Sequence, residues 1–314
     1  MQPTAPEAAR MLTQPVVGTA DGVRVVGGDD GQNLLDGARI TAVHVEGPVL
    51  WVLVERRHLY RIDGHGAELA ASLDPSAAGT CVISHRGRIW VAGDDAGLWR
   101  LNGAALEPVS AFSHAPSRGE WYTPWGGPPS VFSMAGHGDD LYVGVHVGGI
   151  IRSSDEGRSW VPTIDLHDDV HQVVVEPTGR VWAATGNQGL AESTDRGASW
   201  HYHNVGLHGR YLLAVAVTAD GLLVGASSGH ASRDGGLYRF SGGVFNQCEE
   251  GLPDGFGGAV SPRHLAARGR DAVVSLPGGN VYTSADGGRS WSQIAADLPG
   301  VSEVALRSIA NQVA

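Results

Sequence analysis

The stretch SSDEGRSW, Ser153 to Trp160, decides how the rest of the chain is read. It recurs as STDRGASW, Ser193 to Trp200, and as SADGGRSW, Ser284 to Trp291. The shared pattern is S-x-D-x-G-x-S-W. Asp155 and Asp195 are 40 residues apart, and Asp195 and Asp286 are 91 apart, which leaves room for one degenerate copy between. A fixed period of this size is the mark of a repeat architecture. Each position has a turn role. The aspartate (Asp155, Asp195, Asp286) accepts backbone N–H groups within its own turn. The glycine (Gly157, Gly197, Gly288) supplies a backbone angle that other residues avoid. The leading serine (Ser153, Ser193, Ser284) satisfies further backbone groups. The tryptophan (Trp160, Trp200, Trp291) opens the next strand and packs on a neighbouring sheet. The motif is structural and needs no catalytic role.

Two strand-like runs precede each copy. The clearest example is VHQVVVEPTGRVWAATGNQGLAES, with a strand A at Val170–Glu176, a Pro-Thr-Gly turn, a strand B at Val181–Thr185 and a strand C from Leu190. Its alternation and β-branched content fit half-buried strands. The same frame starts at Phe132, Leu213 and His264, and in weaker form at Cys81 and Ala42. That makes six blades. The two ends supply a seventh. VSEVALRS, Val301–Ser308, reads as a strand A with nothing after it. Residues 16–37 read as strands B, C and D with no strand A before them, and GGDDGQNL within them resembles a decayed copy around Asp29 and Gly31. Joining the C-terminal strand to the N-terminal three closes a ring and hides its open edges. The expectation is an all-β, seven-bladed β-propeller of four-stranded antiparallel blades. It spans 14–314 as one domain, preceded by an arm at 1–13.

With these residues in view, the chain resembles the BNR, or Asp-box, propellers. That group includes sialidases, xyloglucan-active hydrolases, the sortilin-type receptor domain and a photosystem II assembly factor. The resemblance is specific over residues 129–298. It implies that the box lies in the turn between the third and fourth strands of a blade. It further implies that the B–C and D–A loops share the opposite face, around the mouth of the central channel.

Composition agrees and removes some classes of function. The chain has 314 residues, 42% hydrophobic and 18% charged, enough for a sizeable core. Its 46 glycines sit between short apolar runs, as turns do in an all-β chain. A net charge of −11 without long basic runs argues against nucleic acid as a partner. The two cysteines, Cys81 and Cys248, have no metal-type spacing and read as buried free thiols. No run reaches the ~18 apolar residues of a membrane helix, so membrane insertion is not expected. The N-terminus carries no charged-then-apolar signal pattern. The expected location is the cytoplasm, with a secreted chain trimmed of its signal as the alternative.

Function is therefore sought at the loop-rich mouth. Much of the histidine content falls there. The candidate ligand-binding residues are Trp121 and Trp125 in the insert RGEWYTPWGGPPS, then His146, His171, Asn187, Arg210, Tyr211, Arg263 and His264. Three readings compete. The first is a divalent metal held by His146, His171, Asp168 and Asp169, since imidazole and carboxylate suit zinc, iron or manganese. No other cofactor is implied. The second is glycoside hydrolysis, for which Arg39, Arg210 and Arg263 could grip a substrate carboxylate. The Arg-Ile-Pro element of sialidases is absent, and Arg39-Ile40-Thr41 is a faint echo of it. The third is a binding module for a small polar molecule, a glycan or a protein partner, with the tryptophan insert either stacking on the ligand or capping blade 3. The third is favoured. An enzyme at the same mouth, either a sialidase-like glycosidase or a metal-dependent hydrolase or lyase, is the alternative.

Overall fold

The computed structural model describes residues 13–26, 32–124 and 126–309. The strands among them form seven antiparallel sheets of four. The innermost strands A are Ile40–Glu46, Gly79–His85, Ser130–His137, Val170–Val175, Tyr211–Thr218 and Leu265–Arg268 for blades 1 to 6. Blade 7 takes its strand A from the C-terminus, Glu303–Ser308. Its other three strands are N-terminal: Thr13–Thr19, Gly22–Val25 and Gln32–Leu34. The closing pair runs in register from Thr13 opposite Ser308 to Gly18 opposite Glu303. The one-plus-three closure expected from the sequence is thus the one observed. The decayed copy around Asp29 and Gly31 lies outside the described residues.

The boxes occupy the C–D turns of blades 3, 4 and 6. In the first, Ser153 Oγ accepts from Gly157 N at 2.9 Å and bonds Asp155 Oδ1 at 2.9 Å. Asp155 Oδ1 accepts from the backbone of Arg158 and Ser159, and Oδ2 from the Ser159 hydroxyl at 2.6 Å. Gly157, Gly197 and Gly288 share a φ of 86°, 87° and 84°, which is why glycine recurs there. Donated hydrogen bonds, the Ser159 hydroxyl foremost, hold the Asp155 carboxyl down at about 2.

The boxes also join blades, which sequence reading missed. One variable position of each box reaches the preceding blade. Arg196 donates twice to Asp140, at 2.6 Å each. Arg289 donates to Asp220 at 3.0 Å, and Glu156 accepts from Arg88 at 3.1 Å. Trp160 and Trp291 bond the glycine carbonyl of their own box, whereas Trp200 Nε1 donates across the blade boundary to Thr163 O at 2.6 Å.

The core sits between blades, face to face. Trp90, Phe112, Trp121 and Trp160 pack together between blades 2 and 3, with Phe112 stacked edge-on to Trp160 at 4.8 Å. One backbone feature prepares the mouth. In blades 1 to 5 the strand A carries a β-bulge near its start, which leaves Thr41, Thr80, Phe132, His171 and Leu213 as the extra residues. A bulge re-aims the side chain it carries.

Candidate functional site

Three loops meet at the mouth over blades 3, 4 and 5. His146 is the last residue of strand B in blade 3. Asp169 follows the 3-10 turn Leu166–Asp168, in the left-handed region at φ 56°. A non-glycine residue held there marks a locally over-determined backbone. Gly186 N donates to Asp169 O at 2.9 Å and fixes it. His171 occupies the bulge at the head of blade 4, between the Val170↔Thr185 and Gln172↔Ala184 pairs. Tyr211 begins strand A of blade 5, and His230 comes from its B–C loop.

The side chains converge. His146 Nε2 lies 2.9 Å from Asp169 Oδ1, and His171 Nε2 lies 3.6 Å from Asp169 Oδ2. The three ligating atoms all fall within 4.8 Å of one another. Both histidine side chains are buried (1% and 2% exposed), while Asp169 is 22% exposed and faces the opening. His146 is sandwiched between Phe132 at 4.5 Å and His171 at 5.6 Å. The Tyr211 hydroxyl stands 3.4 Å from His171 Nε2 and 3.3 Å from His230 Nδ1.

Protonation follows from partners. His171 Nδ1 is 2.7 Å from the Leu212 carbonyl. A carbonyl only accepts, so Nδ1 carries the proton and Nε2 the lone pair of the neutral ring. Burial lowers the His171 pKa and outweighs the raising effects of Asp169 and the Leu212 carbonyl. Burial opposes ionisation of Asp169, yet the His146 hydrogen bond and the neighbouring imidazoles together bring its pKa below the usual range. Burial, then the Asp169 charge, pushes Tyr211 up to about 12, so it remains a phenol.

The remaining candidates are placed elsewhere. Asp168 turns away from its neighbour Asp169, and its carboxylate accepts from the Tyr202 hydroxyl. The metal-type group is therefore His146, Asp169 and His171, without Asp168. Asn187 braces the same loop by donating to His167 O at 3.0 Å. Trp121 is 6% exposed, packs on Phe112 and donates to Ser117 Oγ at 3.0 Å. It caps the core of blade 3, the second of the two roles expected for the insert; Trp125 lies outside the described residues. Arg39 and Arg210 are exposed. Arg263 instead turns into the central channel, a cavity of about 420 Å³, where it bonds the Thr80 carbonyl across the ring and lies 3.6 Å from Glu303. His264 borders a separate cavity with Ser275 and Pro277, and burial lowers it to about 4. Sequence reading missed Phe132, Gly186 and Glu303. The bulges that re-aim His171 and Phe132 leave no sequence mark. Gly186 was legible as a glycine at a strand end, but its neighbour was not: a Cβ there would meet Asp169 Oδ2 at 2.2 Å.

No protein-family model matches the chain, and neither does any curated protein. Solved structures do. A structure of YCF48 bound to D1 peptide superposes with a TM-score of 0.59 at 15% identity, over 88% of this chain and 95% of that one. YCF48 from Cyanidioschyzon merolae gives the same TM-score and identity over 83% and 86%. The chain shares its fold with YCF48. A GH74 xyloglucanase from Xanthomonas campestris superposes with a TM-score of 0.58 at 16% identity, over 92% of this chain but 47% of the enzyme. Identity this low speaks for the β-propeller fold alone. Among the described residues no helix is long and apolar enough to cross a membrane.

Proposed function

We propose that this chain is a binding propeller of the Asp-box kind, and that its site is the channel mouth between blades 3, 4 and 5. One observation carries the reading. Five chemistry-bearing side chains from three blades, His146, Asp169, His171, Tyr211 and His230, meet on the face opposite the boxes. Two of them are buried imidazoles, and the carboxylate between them rests on a strained backbone. Such groups are costly to assemble and cluster at functional sites. The box geometry supports membership of the Asp-box group, with the serine, aspartate and glycine bonds repeated in blades 3, 4 and 6. That YCF48 is seen with a peptide in the same fold supports a protein segment as the ligand class, with a small polar molecule or glycan as the other candidates.

The test is a defined library of immobilised peptides and oligosaccharides, probed with the full chain. Every binder should weaken with His230→Ala or Tyr211→Ala and persist with Arg289→Ala on the box face. A library without binders, or binders indifferent to the mouth variants, would count against the reading.

A second reading is favoured by the ligand set itself. Two imidazoles and a carboxylate within coordination reach suit a divalent metal as cofactor.

A further inference from the structure

His171 Nε2 and Asp169 Oδ2 present a physical problem. The Leu212 carbonyl takes the one proton of the neutral His171 ring at Nδ1. Nε2 then offers a lone pair, and 3.6 Å away the carboxylate offers another. The Tyr211 hydroxyl has one proton to give and stands between two ring nitrogens, His171 Nε2 and His230 Nδ1. A cation between His171 and Asp169 resolves the conflict.

The geometry points to a site for one divalent transition-metal ion of the zinc or iron(II) class, ligated by His146 Nε2, His171 Nε2 and the Asp169 carboxylate. This deepens the mouth reading above and rests on it for the role of the metal. Ligands at 2.0–2.1 Å in a tetrahedron stand ~3.4 Å apart. The two imidazole–carboxylate separations, 2.9 and 3.6 Å, bracket that value. Binding needs the His146 ring to carry its proton on Nδ1 in place of Nε2, and the metal then takes the place of the proton now shared with Asp169. The Leu212 carbonyl is the outer-shell partner that fixes the His171 tautomer, as such partners do in metal sites. Phe132 and His171 clamp the His146 ring from both faces. Two nitrogen donors select against calcium and magnesium, which take oxygen sets. The three ligands found among the described residues leave a coordination position for the side on which Asp169 is exposed. Tyr211 and His230 flank that position. With Nε2 of His171 engaged by the metal, the Tyr211 hydroxyl is released toward His230 or toward a fourth ligand. The open position suits an anionic donor such as a carboxylate.

The test uses the full chain, stripped with a chelator and titrated with Zn²⁺ and separately with Co²⁺. The expected result is one equivalent bound, a Co²⁺ absorption spectrum of four- or five-coordinate type, and no competition from excess Mg²⁺ or Ca²⁺. His171→Ala and the near-isosteric Asp169→Asn should each weaken binding at least ~10-fold. His203→Ala, in the His201–His203–Glu192 group on the outside of blade 4, should leave it unchanged. No stoichiometric binding by folded wild-type protein overturns the proposal, whatever the variants do. Binding that survives both mouth variants and falls with His203→Ala overturns it as well. The two readings fail separately. A mouth ligand that binds the stripped protein fully keeps the mouth and removes the metal's role. A bound metal with every ligand mapping to the box face keeps the metal and removes the mouth.

Discussion

Glu303 should make the ring less stable as the pH rises, and Glu303→Gln should cancel the effect. The residue opens the strand that closes the propeller. Its carboxylate accepts from Val43 N in blade 1 at 2.8 Å and lies 3.6 Å from Arg263 Nη1 in blade 6. It therefore ties blade 7 to both neighbours from inside the channel. Burial raises it from 4.5 to about 7, more than Arg263 and the Val43 amide lower it. That is the general weakness of a buried ion pair, in which desolvation exceeds the attraction. A raised folded pKa means that the folded state prefers the proton. The contribution is full below the unfolded value and is lost as the pH climbs through the folded one. At 1.36 kcal/mol per unit the loss is ~3 kcal/mol when complete, of which about 2.5 kcal/mol falls between pH 5 and pH 8. The side chain is 15% exposed, so little of this is screened. The assay is urea unfolding of wild type and Glu303→Gln at both pH values. His44 and His264, each lowered to about 4 by burial, push stability the other way, but both are present in the two proteins and cancel in the difference. The stability of Glu303→Gln relative to wild type should rise by about 2.5 kcal/mol from pH 5 to pH 8. A difference that stays flat, or shrinks with pH, would refute the reasoning.

Three further outcomes follow from named contacts. Deleting 301–314 removes the closing strand and unpairs the edge from Thr13 to Gly18; the calorimetric transition should lose its cooperativity, and an unchanged melting curve would rule the closure out. Arg196→Ala leaves Asp140, 8% exposed, with the Tyr142 hydroxyl at 3.5 Å and Arg152 at 3.9 Å; because Arg196 is itself more than half exposed, the cost should be about 2 kcal/mol in chemical unfolding rather than the larger loss of a fully buried pair. Gly186→Ala drives a methyl group against Asp169 Oδ2, the far end of a side chain that can swing away; stability should change by less than ~1 kcal/mol while zinc affinity falls ~10-fold or more, measured by calorimetry.

The fold was almost wholly legible because its signals are local. The serine, aspartate and glycine of each box act within one turn, so SSDEGRSW announces that turn without help from the rest of the chain. The spacing of three such turns then gave the blade count and the closure. The candidate site was half legible. His146 and His171 stood out as histidines at strand ends facing a mouth, and the adjacent Asp169 was included with them. Choosing Asp169 over Asp168 was beyond the sequence, because it depends on a left-handed turn and on Tyr202, 34 residues onward, claiming Asp168. Arg263 and Glu303 show the same limit. One reads as a mouth arginine and the other as an ordinary strand residue, yet they meet in the channel because the ring brings the start of blade 6 beside the C-terminal strand. Trp121 was ambiguous between ligand platform and core, and only Phe112 and Trp160 closing over it decide for the core.

The claim that the mouth of blades 3, 4 and 5 is a built metal-binding site is tested most directly by anomalous diffraction from crystals of the full chain loaded with one equivalent of Co²⁺. The prediction is a single anomalous peak ~2.0–2.2 Å from His146 Nε2, His171 Nε2 and an Asp169 oxygen. A peak on the outer histidines of blade 4, or no peak at the mouth in metal-loaded crystals, would contradict it.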